Sequence, residues 1–161
     1  MSRALWTALA LAGAVLVETA LAYLVSSPGR YLDPFLLVVV YCALRFGETH
    51  GMLAGAAAGW VQDVMFGGPV LGLSALSKLV VGFSVGLAAG RFLIGTTAAR
   101  ALVVLLAAAA DALLVEWLAS VFSVDARGLP VLALAARATL SALVGGLLYA
   151  LVDRRVARSR A

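Results

Sequence analysis

From Ala4 onward the chain is a succession of apolar runs separated by short polar breaks, and no other feature limits its fold as severely. The first run, Ala4 to Val25, is apolar except for Glu18; as a helix it covers about 33 Å, enough to cross a bilayer. Five more follow: Phe35 to Phe46, a third ending near Phe66, Leu71 to Ile94, Ala101 to Phe122, and Val131 to Val152. With 64% hydrophobic and only 12% charged residues the chain lies far from soluble domains, in which about a quarter are charged. An all-α integral membrane protein is expected, with residues 1–161 as one domain. Arg3, the first run and Ala20-Leu21-Ala22 have the form of a signal peptide, but we expect the segment to be retained as a span. The single cysteine, Cys42, excludes an internal disulfide and a multi-cysteine metal site.

Within this frame, residues 51–90 carry a second pattern. At a step of four, Gly51, Gly55, Gly59 and Asp63 share one helical face, and Lys78, Gly82, Gly86 and Gly90 share one face of the next helix. Gly67-Gly68-Pro69 between them supplies a turn. Glycine stripes let two backbones approach closely in lipid, so a tight antiparallel hairpin is expected. With a turn midway between Asp63 and Lys78, the two charges should meet as a pair near its outer end.

Charge flanks constrain topology without settling it. Six spans with an inside N-terminus put Arg3, Arg45, Arg91, Arg100, Arg154, Arg155, Arg158 and Arg160 inside, against Arg30 and Arg127 outside, an eight-to-two bias. Five spans with the N-terminus outside and Phe35 to Phe46 re-entrant give the same ratio, because Arg3 and Arg30 trade places. The high isoelectric point reflects the C-terminal arginine cluster, which suits a cytoplasmic flank in contact with anionic lipid rather than nucleic acid.

Six charges remain inside the apolar runs: Glu18, Asp63, Lys78, Asp111, Glu116 and Arg137. All but Asp111 are placed by residue counting about 10 Å from the outer surface, with Asp111 deeper. Intramembrane charges mark a cavity, a function or internal pairs. Both readings stand: a polar cavity opening outward, or buried pairs that fix helix packing. His50 has no second ligand at metal spacing, and Ser74 with Lys78 offers a nucleophile and base without an oxyanion donor set. No catalytic, metal or cofactor site is therefore expected.

The order Arg30, Pro34, an apolar run with Tyr41, Gly55-x3-Gly59-x3-Asp63, the Gly67-Gly68 turn and Leu71-Gly72 resembles the rod shape-determining protein family MreD, as do the length and the short basic C-terminus. The resemblance implies a six-transmembrane-helix bundle similar to the substrate-binding subunits of energy-coupling-factor vitamin transporters, with both termini cytoplasmic in the bacterial inner membrane. That favours six spans over five. It also implies a non-catalytic scaffold of the elongation machinery, associated with MreC and, through MreB, RodA and its penicillin-binding transpeptidase, with lateral wall synthesis. Asp63 is the acid that matches the family motif. The rival reading is a vitamin-like ligand-binding subunit of a transporter, for which Ala4, Ala8 and Ala12 would form the docking stripe.

Overall fold

A computed structural model describes residues 3–24, 33–66, 70–92 and 96–122, with the isolated positions 139, 144 and 145. Five helices stand among them: α1 (Arg3–Leu24), α2 (Pro34–Phe46), α3 (Glu48–Phe66), α4 (Leu73–Arg91) and α5 (Thr97–Val121). In α1, α4 and α5 the stretches Leu5–Tyr23, Leu73–Arg91 and Ala98–Val121 are long and apolar enough to cross a membrane. The expected sixth span, the expected turn at Gly67-Gly68-Pro69, Arg137 and the C-terminal arginines lie outside the described residues. Among the described residues five helices stand, and they do not by themselves support the six-span transporter-subunit fold.

The shortest helix is the best buried. Phe35, Leu36, Val39, Val40, Cys42 and Ala43 of α2 are each at most 1% exposed. On one side Leu36, Val40 and Ala43 pack with Val81 and Val85 of α4 and with Val104, Ala107 and Ala108 of α5. On the other, Phe35 and Val39 meet Ala14 of α1 and Ala58 of α3. Thirteen residues give α2 a length of only about 20 Å. Walled along its length by α1, α3, α4 and α5, it need not match the bilayer thickness.

Local signals explain the boundaries. Asp33 caps α2, its Oδ1 accepting the Leu36 N–H at 3.0 Å, and Pro34 follows at the first helical position, where a missing N–H costs nothing. Gly47 then reverses the chain in one residue at φ 88°, a left-handed conformation that glycine adopts freely. Ala43 and Gly51, one turn either side of it, come face to face: a Cβ built on Gly51 would fall 2.6 Å from that of Ala43. Thr96 caps α5 through Ala99 N–H at 3.2 Å, so this helix starts before Ala101 and takes in Arg100, which the sequence reading assigns to a loop.

The glycine face brings α3 and α4 into backbone contact. A Cβ on Gly51 would fall 2.5 Å from the carbonyl oxygen of Gly82, one on Gly55 would strike the Lys78 carbonyl, and one on Gly59 would strike Ala75. Gly82 in turn abuts Gly51, and Gly86 abuts Glu48. Gly90 is different. Open space surrounds it, so it takes no part in the seam.

Candidate functional site: a buried charge cluster

Where polar side chains lie inside this apolar structure, most are turned inward. Glu18, Asp33, Asp63, Ser77, Lys78 and Asp111 are all buried. Lys78 is the hub. Its Nζ lies 2.8 Å from Asp33 Oδ2 and donates to Asp111 Oδ2 at 3.3 Å. Ser77 Oγ donates to the other oxygen of Asp111 at 2.8 Å and reaches the Asp111 carbonyl at 3.1 Å. The cluster thus joins the start of α2, the first third of α4 and the middle of α5. Removing one partner from such a group leaves an uncompensated charge in a medium that solvates it poorly, at a cost of about 3–5 kcal/mol.

Asp63 does not belong to this cluster, which corrects the expected pair with Lys78. Its Oδ2 accepts the N–H groups of Gly72 at 2.8 Å and Ser74 at 3.1 Å. Gly72 is the N-cap of α4 and has no side chain with which to cap it. Asp63 supplies the missing acceptor from the neighbouring helix, and its charge also suits the positive end of the helix dipole. Register explains the difference. Since Gly59 lies against Ala75 and Gly55 against Lys78, Asp63 comes level with Gly72 at the start of α4, about 9 Å beyond Lys78 along the axis.

Of the other residues singled out by sequence, Glu18 is buried on the α1 face that also carries Ala14, one turn earlier. Glu116 is exposed and stands apart from the buried layer, while Arg137 lies outside the described residues. Two members of the cluster escape the sequence reading. Asp33 closes a polar stretch and looks like loop, although an aspartate directly before a proline and an apolar run signals a helix start. Ser77 sits beside Lys78 and reaches the same carboxylate of α5. The Ser74 and Lys78 pairing has no support here, because the Lys78 ammonium is engaged by two carboxylates and Ser74 lies at the α4 cap.

Comparison with known proteins decides the family. Residues 4–153 match the family model described as rod shape-determining protein MreD. The chain belongs to the MreD family. No curated protein and no solved structure matches it. Its MreD membership and its long apolar helices make it a membrane protein of cell-shape determination. In this MreD chain the buried charge cluster is shared among α2, α4 and α5, while Asp63 ties α3 to the start of α4.

Proposed function

We propose that the protein is a non-catalytic scaffold of the bacterial elongation complex, a single domain lying in the inner membrane with both termini cytoplasmic. MreC is its proposed direct partner; MreB, RodA and the penicillin-binding transpeptidase are reached through the same assembly, and the C-terminal arginines rest on anionic lipid. The observation that carries this reading is the inward engagement of Lys78, Asp33, Asp111 and Ser77. Groups that satisfy one another across three helices hold a shape and are not poised to attack a substrate. A scaffold needs that property, because its partners must find a fixed helix surface.

The test is genetic. Depletion should round the cells, and alanine at His50 or Ser74 should leave rod shape intact at normal protein level. Loss of shape from either substitution would restore the metal or enzyme reading.

A further inference from the structure

Helix α5 carries two faces of different character. Val104, Ala107, Asp111 and Ala119 are buried against the protein. Opposite them runs a seam at three- and four-residue steps in which Leu106, Leu113, Glu116 and Ser120 are exposed and Ala109 is half-buried. Leu106 and Leu113 are 59% and 58% exposed, and Trp117 beside Glu116 is 63% exposed. That spacing is the heptad rhythm of a helix that packs against another at a shallow angle, and the small Ala109 and Ser120 allow close approach.

Glu116 is the anomaly in this seam. Glu18, Asp63, Lys78 and Asp111 are buried within their helices, whereas Glu116 is exposed and, among the described residues, meets neither a hydrogen-bond donor nor a cation. It stands five residues before the end of α5 at Val121, about 7 Å inside the helix terminus, among apolar side chains. A carboxylate in that setting is costly unless a cation meets it.

We propose that this face of α5 docks a transmembrane helix of a partner protein, and that Glu116 receives an arginine or lysine borne by that helix one to two turns inside its outward end. Leucine at 106 and 113 gives the apolar contact, alanine and serine give proximity, and the glutamate selects the register and the partner. The inference rests on the scaffold reading, to which it adds the docking surface and the chemistry of recognition.

The experiment places a photo-crosslinking amino acid at Leu113 in the full-length protein in its native membrane, with the same group at Trp60 on α3 as a control. The expected adduct, identified by peptide sequencing, joins Leu113 to a membrane span with a basic residue in its outer third. Glu116→Leu should reduce it about tenfold with protein level and melting temperature unchanged, while Glu116→Asp should retain it. Glu116→Arg should lose the adduct and regain it when the partner's basic residue is changed to glutamate. Adducts only to phospholipid, to a second copy, or to residues 131–152 of the same chain would overturn the proposal, as would an adduct indifferent to Glu116→Leu. Failure of the scaffold reading appears separately, as cells that keep their rod shape on depletion.

Discussion

Lys78 Nζ stands 2.8 Å from Asp33 Oδ2, and through that contact the N-cap of the shortest helix is tied to α4. Asp33 has two tasks at once, since its other oxygen caps α2 through Leu36 N–H. Neither oxygen can be spared without exposing a buried polar group to hydrocarbon.

The two tasks can be separated by substitution. Asp33→Asn keeps a good capping side chain and removes the charge; Asp33→Ala removes both. In detergent unfolding both variants should be less stable than the parent, with Asp33→Ala the weaker by about 1 kcal/mol. Equal losses would mean that the cap contributes nothing.

Asp63 is predicted to act on the start of α4. Asp63→Ala deprives the Gly72 and Ser74 N–H groups of their acceptor and should cost about 1–3 kcal/mol. Hydrogen exchange should locate the loosening at residues 72–76 and leave the Lys78 cluster protected. Faster exchange at α2 instead would mean that Asp63 supports the cluster.

How much of this was legible in the sequence depends on the residue. Gly51, Gly55, Gly59, Gly82 and Gly86 could be read because glycine every fourth position in an apolar helix has few uses besides close packing. The register of the two stripes could not, because α4 begins only at Leu73, after the turn at Val70 to Gly72, and that offset moves Asp63 away from Lys78. Asp33 was hidden by its polar neighbours. Glu116 and Asp111 lie on one alanine- and leucine-rich helix that is apolar all round, so spacing alone cannot say which of them faces inward. The central position of α2 was equally obscure, since its short length suggested a marginal span when it is instead the most enclosed helix.

The glycine seam makes a contrast that needs no charge. Gly55→Ala places a methyl group against the backbone of Lys78 and should force α3 and α4 apart, lowering the folded yield in membranes several-fold. Gly90→Ala meets open space and should leave yield and melting temperature unchanged. Comparable losses at both positions would show that glycine is needed there for some reason other than contact between the helices.

Which carboxylates answer Lys78 decides how the helices are held together, and a pair of double-mutant cycles measures this. Lys78→Met is combined with Asp33→Asn in one cycle and with Asp63→Asn in the other, and unfolding free energies are compared. The predicted coupling exceeds about 1 kcal/mol with Asp33, because the second change removes the charge that the first left unpaired, and stays within about 0.5 kcal/mol with Asp63. Strong coupling to Asp63 with none to Asp33 would contradict the cluster described here and restore the hairpin pair.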